Sequence, residues 1–253
     1  MNILAIGNSF SQDATRYLHE ISKAGANPLK VVDLVIGGCS LQTHCKNTDE
    51  DARAYCLEFN GCATGFFVSV REALQSDAWD YVTMQQASIL SFDYNTYTPY
   101  LRSLSDYVKL YAPAAKQVFH RTWGYENGSE MINSTRYKSH SEMFADIKAA
   151  SEAAAKNAGI GFIIPSGDLI ETMVLAKIES VYRDGFHLGL GAGRYAVAAL
   201  WYERLTGGSI EDNNFCGFDE DISPETLREI KRLVRAAGQN LKNWISNIRI
   251  TTL

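Results

Sequence analysis

The chain has 253 residues, 46% of them hydrophobic and 21% charged, with a formal net charge of −5. That composition is ordinary for a soluble globular protein, and the length is enough to bury a sizeable core. The mildly acidic balance, with no basic stripe, argues against nucleic acid as a partner, and no apolar run approaches the roughly 20 residues that cross a bilayer.

Residues 2–6 already read as a core strand rather than a signal peptide. As written, the chain is expected in the cytoplasm, or in the periplasm or outside the cell if a signal has been removed. Gly7 ends this strand and Ser9 follows two residues later, ahead of a helix expected over 12–24. Such a junction lifts a hydroxyl out at the carboxyl edge of a sheet, beside the N–H groups of a helix start. Ser9 is therefore the candidate nucleophile. Helix capping is the alternative role for Ser9, and Ser11 or Asp13 can take that role instead. A second strand over 30–36 runs into Gly37-Gly38, where backbone can approach a ligand closely or simply turn.

Residues 37–66 carry Cys39, Cys45, Cys56 and Cys62 and have room for a short helix. Their C-x5-C-x10-C-x5-C spacing is not that of a zinc site. With Cys216 they read as buried or half-exposed thiols, one or two local disulfides being the alternative. Helices over 67–76 and 96–111 flank a strand over 80–85, which ends at Gln85 and Gln86. An amide there points into the mouth of a cleft, or bonds to neighbouring backbone. A strand over 116–122 leads to the polar segment 124–138, near which Trp123, Tyr125 and Tyr137 offer rings that can stack on a sugar; core packing explains Trp123 as well. A helix over 139–158 is capped by Ser139 or Ser141 and stopped by Asn157-Ala158-Gly159; a strand over 160–164 and helices over 191–205 and 223–247 complete the chain.

Val- and Ile-rich runs alternating with amphipathic segments are the signature of βαβ units and a parallel sheet. No linker, repeat or low-complexity tract divides the chain, so residues 1–253 are expected to form a single domain. Segments 37–66 and 124–138 both follow strands and are expected to wall a cleft at the edge where α/β ligands bind.

Ester hydrolysis needs a base for the serine, an orienter for the base, and donors for the oxyanion. Five histidines compete for the base. His19 and His140 fall on helices, His120 lies inside a strand as a hydrogen-bonded core residue, and His44 sits in the cysteine-rich loop and stays open. His187 lies in a loop with Asp184 three residues before it, which lets the carboxylate hold Nδ1–H and leave Nε2 free. The Ser9 N–H, a backbone N–H of Gly37-Gly38 and a side-chain amide of Gln85 or Gln86 are the candidate oxyanion donors.

Gly7-Asn8-Ser9-Phe10-Ser11 resembles the first sequence block of the SGNH (GDSL-like) hydrolases, and Asp184-Gly185-Phe186-His187 matches their last block, D-x-x-H. Gly38 falls where their second-block glycine lies. The usual G-x-N-D after the third strand is absent, and Met84-Gln85-Gln86-Ala87-Ser88 stands there, as in the DUF4886 branch, which also tends to carry a motif like Thr122-Trp123-Gly124-Tyr125. The resemblance implies a three-layer α/β/α sandwich of flavodoxin type with a five-stranded parallel sheet in the order 2-1-3-4-5. It also implies a serine esterase using Ser9, His187 and Asp184 through an acyl-enzyme, without metal or cofactor. The expected partner is a small-molecule or glycan ester, acetyl groups on carbohydrate being frequent in related branches, with Trp123 and Tyr125 as binding rings. The rival readings are an acyltransferase or thioesterase with the same triad, and a noncatalytic glycan-binding module.

Overall fold

The computed structural model of the protein describes residues 1–250, with side chains through residue 237. Among the described residues seven strands form one sheet: β1 (Asn2–Gly7), β2 (Lys30–Val35), β3 (Tyr55–Phe59), β4 (Cys62–Val68), β5 (Tyr81–Met84), β6 (Lys116–His120) and β7 (Ile163–Ile164). Their spatial order is β4-β3-β2-β1-β5-β6-β7. The five strands from β2 to β7 run parallel, with Gly7 beside Val35 and Ile6 beside Met84.

Both faces are covered, because successive strand residues point to opposite sides. Ile3, Val31 and Val118 pack with Phe10 of α1 (Ser9–Thr15), Ile21 of α2 (Leu18–Ala24), Leu169 of α8 (Ser166–Leu175) and Tyr195 of α9 (Ala192–Thr206). Leu4, Val32, Val82 and Phe119 pack on the other side with Leu41 of α3 (Leu41–Asp49), Val70 of α4 (Val70–Gln75) and Leu104 of α5 (Tyr100–Tyr111). The long helix α7 (His140–Ala158) reaches both clusters, with Met143 and Ile147 in the first and Ala150 and Ala154 in the second. A one-turn helix α6 (Glu130–Asn133) interrupts segment 124–138, and α10 (Pro224–Ile250) closes the described chain.

The sheet has seven strands and not the expected five. The two additional ones lie within segment 37–66, where β3 and β4 form an antiparallel hairpin on the free side of β2. Its turn is Asn60-Gly61, both at positive φ (52° and 79°), the pairing that suits a tight hairpin. A Cβ at Gly61 would lie 2.2 Å from the Arg16 carbonyl oxygen, so the turn also needs glycine for its close approach to α1. The hairpin transfers the open edge of the sheet to β4, where Phe66 and Phe67 are exposed.

The helix expected over 12–24 is two helices broken at Arg16-Tyr17, and it starts earlier, at Ser9. Ser139 caps α7 by accepting from Glu142 N–H, and Gly159 ends it in the left-handed region at φ 75°. All five cysteines are free thiols, of which only Cys39 is buried.

Candidate active site

Strand β1 ends at Gly7, and the backbone of Asn8 is still extended (φ −147°, ψ −160°) before α1 begins at Ser9. The cap of α1 is Asn8, whose Oδ1 accepts from Phe10 N–H at 3.0 Å. Neither Ser11 nor Asp13 caps it, because both face the interior. Ser11 Oγ donates to Asn8 O (2.8 Å) and lies 3.0 Å from Asp33 Oδ1. Asp13 is fully buried. Ser9 is thereby left as the first residue of the helix, half-buried at the carboxyl edge of the sheet.

His187 comes to this point from 178 positions away, its Nε2 lying 2.8 Å from Ser9 Oγ. Its Nδ1 is 2.8 Å from Asp184 Oδ2. The other carboxylate oxygen of Asp184 accepts from the His187 N–H at 2.9 Å and the Phe186 N–H at 3.3 Å. Partial burial by itself would raise the Asp184 carboxyl, yet the His187 ring and these two backbone donors hold it below the ordinary carboxylate range. With Asp184 ionised and accepting from Nδ1–H, Nε2 is the free acceptor facing the serine hydroxyl.

The loop that carries His187 has little regular structure of its own. An isolated bridge joins Tyr182 and Leu188, and Arg183 N–H donates to His187 O. Further contacts that shape it come from elsewhere in the chain. Asp13 Oδ2 accepts from Leu188 N–H (2.9 Å), while its Oδ1 pairs with both Arg183 and Arg194 at 2.8 Å. Trp123 Nε1–H donates to Phe186 O (2.8 Å), and Glu126 N–H donates to Gly185 O (2.8 Å). Tyr182 donates to Gly124 O and sits 2.9 Å from the Nδ1 of buried His140.

Trp123 and Tyr125 are 0% and 1% exposed, so neither presents a ring face to a sugar. Trp123 stacks on Phe10, next to Ser9, with ring centroids 4.3 Å apart and planes 5° from parallel. Its binding role is replaced by a structural one: it ties α1, which carries Ser9, to the loop that carries His187. Tyr125 packs edge-on against Phe186, and its hydroxyl bonds to Ser88 Oγ. Tyr137 is buried as well.

Gly38 is exposed, with φ 65°, a conformation that favours glycine. Asn8 Nδ2–H donates to Cys39 O (3.0 Å), which draws this turn against the Gly7-Asn8-Ser9 junction. Neither the Ser9 N–H nor the Gly38 N–H meets an acceptor among the described residues. Gln85 is buried, donates from Nε2 to Asn8 Oδ1 (2.8 Å) and accepts at Oε1 from His120 Nδ1–H (2.6 Å), which leaves one of its two amide N–H groups uncommitted. Gln86 is not available. Its Nε2 donates to both oxygens of Thr96, and its Oε1 accepts from Leu41 and Ala87 N–H.

The remaining histidines have other work. His44 is fully buried beside Tyr55 and Cys39, and burial pushes it down to about 4. His19, near the start of α2, bonds through Nδ1 to Leu29 O in the connection from α2 to β2. Sequence reading missed Asp13, Arg183 and Arg194 as supports of the His187 loop; an aspartate four residues after Ser9, matched by two distant arginines, carries no local signal.

A parallel sheet of order β2-β1-β5-β6-β7 between two helical layers is the fold of the SGNH hydrolases. The chain belongs to the DUF4886 family, a domain of unknown function whose family model matches residues 2–229. It is similar to the crystal structure of a DUF4886 family protein from Bacteroides uniformis, at 34% identity over 94% of each chain with a TM-score of 0.87. A proposed SGNH hydrolase from Slackia heliotrinireducens matches at 24% identity over 81% of this chain and 98% of its own, with a TM-score of 0.59. A proposed GDSL-like lipase from Parabacteroides merdae follows at 17% identity over 80% and 94%, with a TM-score of 0.54. These two likenesses are of fold. Among curated proteins no match is found.

Proposed function

We propose that this protein is a serine esterase that hydrolyses short acyl esters, acetyl esters above all, with the acetyl group carried on a carbohydrate alcohol. The observation that carries the reading is the unbroken chain from Ser9 Oγ through the His187 ring to Asp184, at 2.8 Å on each side of the imidazole. These spacings lie within the reach that proton transfer and base orientation require.

In the proposed reaction His187 Nε2 takes the Ser9 proton as Oγ attacks the acyl carbonyl carbon. Asp184 stabilises the imidazolium that results. The carbonyl oxygen, now negative, is received by the Ser9 N–H, the Gly38 N–H and the uncommitted amide N–H of Gln85. The imidazolium then protonates the departing alcohol, leaving an acyl-serine. Water, deprotonated by the same imidazole, attacks the acyl carbon and releases the acid and free Ser9. Burial of Trp123 and Tyr125 removes the aromatic platform from the case for sugars, so the carbohydrate part of the reading rests on family likeness.

The test is Ser9→Ala beside the wild type on p-nitrophenyl acetate and on a panel of acetylated mono- and oligosaccharides, with acetate release measured. A loss of roughly 10⁴- to 10⁶-fold in kcat with an unchanged melting temperature is expected. A fluorophosphonate probe should modify wild-type Ser9 and spare the variant. Full activity in Ser9→Ala would end the proposal, and a wild-type Ser9 inert to the probe would leave a binding module. Faster turnover of acyl-CoA than of any oxygen ester would move the substrate to thioesters.

A further inference from the structure

Beneath the nucleophile lies a file of buried polar side chains whose direction is fixed by two backbone groups. Phe10 N–H can only donate, so the Asn8 atom 3.0 Å from it is the oxygen. Cys39 C=O can only accept, so the other end of Asn8 is the nitrogen. Asn8 Oδ1 also receives Gln85 at 2.8 Å, and the Gln85 atom there must be Nε2. Gln85 Oε1 then faces His120, and the ring nitrogen 2.6 Å away must carry the hydrogen. No freedom remains in the amide flips or in the tautomer.

His120 closes this file at its inner end, in β6. Asn8, Gln85 and His120 are 2%, 1% and 0% exposed. Burial holds the His120 imidazole down to about 3, so the ring is neutral and its one N–H sits on Nδ1. Nε2 has no partner among the described residues and the ring stands edge-on to Trp201, with centroids 4.9 Å apart. A buried acceptor without a donor is unfavourable, and an apolar residue would fill this place in the strand without it. Among the described residues, the one hydrogen bond of the His120 side chain is the one to Gln85.

We propose that His120 is a positioning residue of the esterase site, holding the Gln85 amide by its oxygen so that the free N–H meets the oxyanion. This rests on the serine-esterase reading above. An amide is planar, so fixing Oε1 on His120 and one N–H on Asn8 fixes the direction of the second N–H. Asparagine, the shorter amide of the third SGNH block, is replaced here by a longer side chain with an additional rotatable bond. The His120 and Asn8 contacts remove the freedom that this bond introduces.

Three variants and one spectrum test the assignment. Gln85→Leu should lower kcat roughly 10²-fold with little change in KM, the effect of removing one oxyanion donor. His120→Leu should lower kcat in the same sense by roughly 10-fold or more, since the amide remains but is no longer held. His120→Asn, whose Nδ2–H can stand in for the ring Nδ1–H, should recover much of that loss at the same KM. The wild-type protein should show His120 as the neutral Nδ1–H tautomer by nitrogen-15 NMR from pH 5 to pH 8. Unchanged kcat in a folded His120→Leu, or equal losses in the Leu and Asn variants, would overturn the positioning role. If His120→Leu does not fold, the tautomer decides, and an Nε2–H ring would overturn it. An active Ser9→Ala enzyme would instead sink the esterase reading while leaving the tautomer result standing.

Discussion

The segment that carries Ser9 and the segment that carries His187 are held in place by different means. Ser9 sits between a strand paired on both sides and a helix capped by its own neighbour Asn8, so its position follows from hydrogen bonds within a few residues and from the ladder. The loop 181–189 contains one isolated bridge and a few short-range bonds, chiefly from Asp184 and Arg183, and it is held against the rest of the fold by Asp13, Trp123 and Glu126. Ser9 is placed by regular structure, His187 by tertiary contacts. Damage to remote residues should therefore reach the base loop first, and the alcohol last.

Asp13 joins the two segments and gives the sharpest test of that contrast. Asp13→Ala leaves the guanidinium groups of Arg183 and Arg194 without their buried partner and should destabilise the fold by about 3 to 5 kcal/mol. In the protein that remains folded, kcat should fall because Leu188 N–H loses its acceptor and the adjacent imidazole loses its registration. Chemical denaturation and steady-state kinetics measure the two effects. Normal kcat in the folded fraction would show that the loop holds its shape unaided.

Trp123→Phe is the next test and touches only the loop side. The ring stack on Phe10 survives, but Phe186 O loses its donor, a cost of about 1 to 2 kcal/mol. Kinetically its effect should be smaller than that of Asp13→Ala, and hydrogen exchange should rise in 183–188 with 3–10 unaffected. Equal rises in both segments would erase the distinction.

The smallest effect is expected beneath the nucleophile. Burial, reinforced by the facing carboxylate of Glu58, raises Asp33 well above the ordinary carboxyl range. A protonated Asp33 can donate to Ser11 Oγ, which frees the Ser11 hydroxyl for Asn8 O. An acid raised in the folded state contributes its stability below its unfolded value near 3.8 and loses it progressively as pH climbs through the window above. Asp33→Asn should accordingly gain in melting temperature relative to wild type as pH rises from about 4 to neutral, with kcat unchanged. A difference between the two proteins that does not vary with pH would place the proton elsewhere.

Much of this architecture was legible in the sequence because its signals are local. The parallel strands appear as Val- and Ile-rich runs, and Gly7-Asn8-Ser9 and Asp184-Gly185-Phe186-His187 are contiguous motifs. The hairpin was not legible because β4 is exposed along nearly its whole length and shows no apolar alternation, although Asn60-Gly61 is a hairpin signal in its own right. Helix α8 escaped because Ser166-Gly167-Asp168 reads as a turn, whereas Gly167 is there for want of room: a Cβ would lie 2.1 Å from Thr122 O. Trp123 looked like a ligand platform because sequence shows that a ring is near a strand end but not which way it faces. The pairing of Asp13 with Arg183 and Arg194 spans at least 170 positions, a distance at which single residues carry no pattern.

The outermost strand has a practical bearing on handling the protein. Cys-Ala-Thr-Gly-Phe-Phe-Val, the sequence of β4, has no charge, and unpaired strand edges of this kind recruit other strands when concentrated. Phe66→Lys would place a cation on that rung, three strands from the one that leads to Ser9, and should yield a preparation that stays monodisperse at the concentrations crystallisation demands.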